Sequence, residues 1–308
     1  MITNIFSRSN PMNFLICLVI LLLAFIFSSI KMYRADFSIT ESIAYFSIFF
    51  VLIFTMFLTD FIAKKSNLNK NDSYAIILFT LFLLLIPETL SDFSVVVSNA
   101  FVLLALRRLV SLQSLSQSKQ KILDASIWIS IASIFEFWSI LFFLLIFIGI
   151  ILYVSNDFRN WIIPLVGLFS VFILLSLYAF IIDYGIFDYI FDKAVVKLDF
   201  SDISAIFQSF YVVVFLVIFI TFLVSQLINF RNYLASLQNT IKIMVGLLLL
   251  ALFVYLISEN KHSLLLYCIG PLSIIGSNFI NSLNRDWLKD ALLYTVVILS
   301  CISFYLFI

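Results

Sequence analysis

Charge is scarce in this chain: 17 acidic and 18 basic side chains make up 11% of 308 residues and cancel to a net charge of +1. A soluble globular domain carries about 25% charged residues, so water is not the main solvent here. With so little net charge, and no basic cluster interleaved with exposed aromatics, nucleic-acid binding is excluded. His262 is the only histidine, which rules out a multi-histidine iron, haem-pair or zinc site built within the chain. The three cysteines, Cys17, Cys268 and Cys301, lie far apart inside apolar stretches. They support neither a disulfide framework nor a thiolate metal site and read as small buried hydrophobes. With six glycines and four prolines, there is no phosphate-cradling glycine loop and no G-x-S-x-G nucleophile elbow. Gly149, Gly167, Gly246 and Gly270 are too scattered to form a small-xxx-small seam, and no internal repeat is visible, which argues against an inverted-repeat transporter. A polar pore-lining helix is also missing.

What is present is apolar. Hydrophobic residues make up 64% of the chain, and stretches such as 14–30, 161–182 and 212–228 reach or approach the roughly 20 residues that a helix needs to cross a bilayer. Runs such as 76–86 and 142–154 are apolar on every face, unlike the alternating strands of a membrane barrel. The stretch 14–30 follows Arg8 but is long for a signal peptide and lacks a small-residue cleavage site, so it reads as a retained first helix. The longest polar interval, 111–124, is too short to bury a core of its own. The expectation is a single all-α integral membrane domain over 1–308, a polytopic transmembrane helix bundle.

Two regions are ambiguous, because 74–106 is interrupted at Pro87, Glu88, Ser91 and Asp92, and 125–154 at Glu136. Each reads as one long helix or as a tight hairpin, and the positive-inside rule arbitrates. With two hairpins and a cytoplasmic N-terminus, only Lys31, Arg34, Lys193, Lys197 and Lys261 of the 18 basic residues fall outside. With two single helices the split is even. The hairpin reading predicts about eleven helices, near 12–30, 43–61, 73–87, 92–107, 124–136, 138–155, 161–182, 206–229, 242–258, 263–281 and 290–308. It places short-helix hairpins at 73–107 and 124–155 and the C-terminus in the periplasm. Short helices must be shielded by longer neighbours, thin the bilayer or line a recess. The outer face becomes acidic, and 183–202 reads as an amphipathic helix on the periplasmic surface, with Phe187, Ile190, Phe191, Ala194 and Val195 opposite Asp188, Asp192 and Lys193.

That face gathers the candidate chemistry. Asp36, Glu88, Asp92 and Glu136 are the candidate catalytic residues, each able to serve as a general base or to hold a divalent cation. Lys31 and Arg34 are the candidate substrate-binding residues, suited to phosphate oxygens. The competing reading is a set of hydrated loop acids. Glu136, flanked by Phe135 and Phe137, is costly at that depth unless water or a cation reaches it. Trp138 beside it equally marks an interface, which would leave Glu136 a turn residue. Asn99, Asn278 and Asn281 read as amides that glue helices together. Asp60 with Lys64, and Asp124 with Lys121, read as interfacial ion pairs. Arg107 and Arg108 snorkel at the end of a short helix and, with Lys119 and Lys121, form an inner patch suited to anionic lipid or a partner protein.

The segments Asn99 to Gln113, Lys121 to Ser126, Arg159 to Pro164 and Phe6 to Phe14 resemble an uncharacterised polytopic inner-membrane family of Gram-negative bacteria. That resemblance covers most of the chain and implies no activity. A looser, architectural likeness is to polytopic glycosyltransferases that use polyprenyl-phosphate-linked sugars, and it implies Asp36 as the catalytic position in the first outer loop. The loop 31–42 is shorter than theirs, and their large outer domain is missing. Together these readings give a multi-pass protein of the bacterial inner membrane that acts on or with a lipid-linked envelope precursor at its periplasmic face. The alternative is a non-enzymatic subunit that anchors or assembles an envelope complex. The expected partners are membrane lipids, a polyprenyl-phosphate-linked substrate and other envelope proteins.

Overall fold

A computed structural model describes residues 2–32, 39–66, 68, 72–155, 157–182, 210–258, 262–283 and 285–307. Among them the architecture is all-α, with no strand. A short helix α1 (Ile2–Phe6) precedes α2 (Pro11–Met32), α3 (Ile39–Lys65), α4 (Tyr74–Leu85), α5 (Phe93–Val110), α6 (Ser118–Phe135) and α7 (Phe143–Tyr153). There follow α8 (Arg159–Ile182), α9 (Phe210–Asn229), α10 (Ala235–Ile257), α11 (Leu266–Ser282) and α12 (Asp286–Phe307). Eight of these helical segments are long and apolar enough to cross a membrane. Their outward side chains are apolar too, including Phe50 at 67%, Leu174 at 67% and Phe180 at 86% exposure. That is the surface of a multi-pass membrane protein, whose outer solvent is hydrocarbon.

The two interruptions read in the sequence are breaks in the helical path. Pro87 pushes the residue before it out of helical geometry, so Ile86 sits at φ −123°, ψ 79° and a 3-10 turn, Pro87–Leu90, follows. Glu136 is extended at φ −132°, ψ 110° and leads into a 3-10 turn, Phe137–Phe142. After each break the chain returns to the end of the bundle it left. The Arg107 guanidinium lies 4.6 Å from the centroid of Phe61, near the start of α4, and Asp157 pairs with Lys119 at 3.2 Å. The helices α5 and α6 run antiparallel, because Phe93 meets Phe135, Phe101 stacks on Trp128, and Arg108 pairs with Asp124 at 3.0 Å.

The short helix α4 is shielded by longer neighbours. Every residue of it except Leu84 is buried, packed against α2, α3, α11 and α12. α11 is almost wholly buried as well, so these two form the axis of the bundle. Close approach of helices depends on small residues. A Cβ at Gly276 would come within 2.4 Å of the Phe222 ring and 2.8 Å of Leu78 Cδ1, and one at Gly167 within 1.9 Å of Ser126 Oγ. These glycines form no common seam; each lets one pair of helices pack closely.

The two ends of the bundle differ in charge. One, the basic end, holds Lys64, Lys65, Arg107, Arg108, Lys119, Lys121, Arg159, Arg285 and Lys289. It is tied together by polar contacts: the Thr3 backbone N–H and hydroxyl donate to Asp290 at 3.1 and 2.8 Å, Tyr74 donates to the Thr3 carbonyl at 3.2 Å, and Asn281 donates to Asp72 at 2.6 Å. Burial holds the Asp72 carboxyl above the ordinary carboxylate range, against the lowering effect of the Asn281 bond. Lys64 pairs with Asp60 at 2.7 Å, as read from the sequence, but Asp124 pairs with Arg108 rather than Lys121. Lys121 instead caps the Ser111 carbonyl and Ser114 hydroxyl, both at 2.7 Å.

Candidate functional site

At the opposite end, the breaks after α4 and α6 carry Glu88, Asp92 and Glu136. Glu88 rides on the turn that Pro87 starts and is half-buried, where Tyr211, in the first turn of α9, donates a hydrogen bond to its Oε1. Asp92 sits at the N-cap of α5, a position that suits its extended backbone and short acceptor side chain. Its Oδ1 accepts from the Val95 N–H at 3.4 Å, and its Oδ2 accepts from the Ser263 hydroxyl at 3.2 Å. Each oxygen of Asp92 thus has one hydrogen-bond partner.

Ser263 belongs to a 3-10 turn, His262–Leu265, that leads into α11 and packs against the turn bearing Glu88. That turn brings the sole histidine into the group. The Tyr255 hydroxyl lies 3.0 Å from His262 Nδ1, and the Tyr211 ring meets the imidazole edge to face with centroids 5.5 Å apart. Tyr211 therefore touches both the carboxylate of Glu88 and the ring of His262, although the three positions are separated by 123 and 51 residues in sequence.

Beneath this layer, Tyr267 is fully buried and joined to Ser98 and Ser139, each at 2.8 Å, with those two hydroxyls 2.7 Å from each other. Ser98 also donates to the Ala132 carbonyl at 3.0 Å. Ser139 binds back through its N–H to the Glu136 carbonyl at 3.0 Å, and both Glu136 and Asp92 are near enough for their charges to act on the Tyr267 hydroxyl. The closed hydroxyl group satisfies every member, so it fixes α5, the turn after α6 and the start of α11 relative to one another at this end of the bundle.

Of the residues read from the sequence, Glu88, Asp92 and Glu136 thus share one end around the His262–Leu265 turn. Arg34 and Asp36 lie outside the described residues, as does the surface helix expected over 183–202. Lys31 lies in the last turn of α2, with its side chain outside the description. Among the described residues no three His, Cys, Asp or Glu side chains are close enough to share a metal ion. Sequence reasoning missed Tyr211, Tyr255, His262 and Ser263. The only available signal was that a lone histidine and a serine directly precede an apolar helix at an interface.

The amide of Asn99 departs from its expected role. It is fully buried, and neither Oδ1 nor Nδ2 has a hydrogen-bond partner. Asn278, by contrast, donates to Gln226 at 3.2 Å and to Tyr233 at 2.9 Å, holding α11 to α9 and the connection after it.

No curated protein and no solved structure matches the chain. A family model does match, along residues 1–308: the chain belongs to DUF6427, a family of unknown function.

Proposed function

We propose that this protein is a single-domain, eleven-span protein of the Gram-negative inner membrane, N-terminus cytoplasmic and C-terminus periplasmic, that acts on or with a lipid-linked envelope precursor. The observation that carries the reading is the grouping of half-buried Glu88, Asp92, His262 and Tyr211 at one end of the bundle, to which half-buried Glu136 is linked through Ser139 and Tyr267. An ionisable group held among apolar helices is costly unless water or a cation reaches it, which makes it a candidate for function. The charge of the other end supports the orientation, since basic residues accumulate on the cytoplasmic side.

In this reading Asp92 holds the His262–Leu265 turn in place, while Glu88 and Glu136 supply the carboxylates for chemistry at the periplasmic face. A carboxylate takes the proton of an acceptor hydroxyl as its oxygen attacks the sugar carbon, and the bond to the polyprenyl phosphate breaks, releasing the phosphate anion. The Tyr255–His262 hydrogen bond holds the imidazole against Tyr211 beside it. Lys31, in the last turn of α2, and Arg34 and Asp36 are assigned to the same chemistry from the sequence, with the two bases on the phosphates. A divalent cation drawn to this site would be shared between a single carboxylate and the substrate's phosphate oxygens.

The test is lipid-linked glycan profiling of a deletion strain complemented with the wild-type chain, Asp36→Asn, Glu88→Gln or Glu136→Gln. Deletion should accumulate a lipid-linked precursor that the wild type clears and Glu88→Gln, present at equal abundance, does not. Unchanged lipids combined with the loss of co-purifying envelope proteins would overturn the reading in favour of a non-enzymatic assembly subunit.

A further inference from the structure

At the basic end four cations are neutralised by carboxylates. Lys64 is paired with Asp60, Arg108 with Asp124, Lys119 with Asp157 and Lys289 with Asp286. Lys65 and Arg107, like Lys121, Arg159 and Arg285, form no ion pair among the described residues. Both instead converge from different helices on one ring. The Lys65 ammonium lies 5.6 Å and the Arg107 guanidinium 4.6 Å from the centroid of Phe61, which is 42% exposed on the lipid-facing side of α3. A ring face attracts each cation but adds no negative charge to offset their mutual repulsion. Lys121 stands close enough to Lys65 for their charges to interact, which adds a third cation. Among the described residues no carboxylate pairs with Lys65 or Arg107.

The surface leading away from these cations indicates which anion suits them. Phe61, Phe57, Phe54, Phe50 and Phe46 recur at spacings of three and four, so they line one face of α3, each at least 42% exposed. Fifteen residues of helix extend about 22 Å, more than the roughly 15 Å of hydrocarbon in one leaflet. We propose that Lys65 and Arg107 bind the phosphate of an anionic phospholipid of the leaflet at the basic end, with an acyl chain lying along Phe57, Phe54 and Phe50. Charge complementarity at the head and an apolar aromatic track at the tail select a lipid over a soluble anion. Arg107 contributes a planar fork that stacks on Phe61 while facing phosphate oxygens, and Lys65 a point charge that reaches the headgroup plane.

Binding of phosphatidylglycerol, phosphatidylethanolamine and phosphatidylcholine to the detergent-purified protein is to be measured by native mass spectrometry. Phosphatidylglycerol should bind best. Each lost cation should weaken it about fivefold, so Lys65→Gln loses about fivefold and the Lys65→Gln, Arg107→Gln pair roughly 30-fold. Lys119→Gln, at a cation already paired with Asp157, should change binding less than twofold. Lys65 is exposed, so its single variant keeps the fold whatever Arg107→Gln does. Equal binding of phosphatidylglycerol and phosphatidylcholine, undiminished binding to Lys65→Gln, or equal thermal stabilisation by inorganic phosphate would each overturn the proposal.

Discussion

Replacing Gly167 with alanine should pry α8 from the bundle, and the size of the effect follows from the geometry. The added Cβ would lie 1.9 Å from Ser126 Oγ and 2.8 Å from Ser126 Cβ. Rotating the hydroxyl away relieves only the first overlap, so the two helix backbones must separate. Overpacking of this kind costs about 1–3 kcal/mol, and because the Ser126 Cβ cannot rotate away this site falls at about 2–3 kcal/mol, so the gain of about 1 kcal/mol of helix propensity leaves a net loss on the order of 1–2 kcal/mol. At about 2 °C per kcal/mol for a chain of this size, the midpoint should fall by roughly 2–4 °C. Trp128 on α6 and Trp161 on α8, the latter stacked on Phe147, report the separation by intrinsic fluorescence during thermal unfolding in detergent. The exchange of sizes in Gly167→Ala with Ser126→Gly should restore the midpoint to within about 1 °C, because the Ser→Gly propensity loss of about 0.5 kcal/mol offsets part of the Ala gain. An unchanged midpoint for Gly167→Ala, or a double variant no better than the single, would refute the close-packing argument.

Tyr211→Phe removes a donor from half-buried Glu88 and should cost about 1 kcal/mol of stability while impairing complementation as Glu88→Gln does; full complementation would leave Tyr211 a packing residue only. Asn99→Leu removes a buried amide without a partner and should stabilise by about 1–3 kcal/mol, seen as a raised unfolding midpoint; a fall of similar size would contradict it. Asp72 bears on pH. Its folded-state value lies above the ordinary 3.8, chiefly through burial, so its contribution is fully present below that value and is lost as pH rises through the raised one. Asp72→Asn should therefore flatten the decline in midpoint between pH 4 and neutrality, whatever constant offset the changed hydrogen bonds introduce. A wild-type profile that does not decline there, or one equally steep in the variant, would contradict that assignment.

The helices were legible because hydrocarbon demands long apolar runs, and the breaks at Pro87 and Glu136 because charge and proline interrupt them. Which helices form the axis was not. In lipid, outer and inner faces are both apolar, so nothing in the composition of α4 distinguishes its buried surface from the lipid-facing surface of α8. The same uniformity concealed Gly167 and Gly276, whose importance depends on what lies across from them rather than on their spacing. Glu88, Asp92 and Glu136 stood out as carboxylates in apolar surroundings. Their neighbours did not, because tyrosine and serine are ordinary at membrane boundaries, and because the contact of Tyr211 with Glu88 links a turn to a helix 123 positions away. The pairing of the cations at the basic end was also opaque, since Arg108 and Lys121 compete for Asp124 and only the crossing of α5 over α6 decides between them.

Ser91 and Leu115 flank the two ends of α5, whose 18 residues extend about 27 Å. In a chain with Cys17, Cys268 and Cys301 replaced, Ser91→Cys and Leu115→Cys report directly which end of the bundle faces the periplasm. A membrane-impermeant maleimide added to intact spheroplasts should label position 91 and leave 115 unlabelled until the membrane is opened. Labelling of 115 with 91 protected would put the Glu88 and His262 group on the cytoplasmic side and contradict its proposed role.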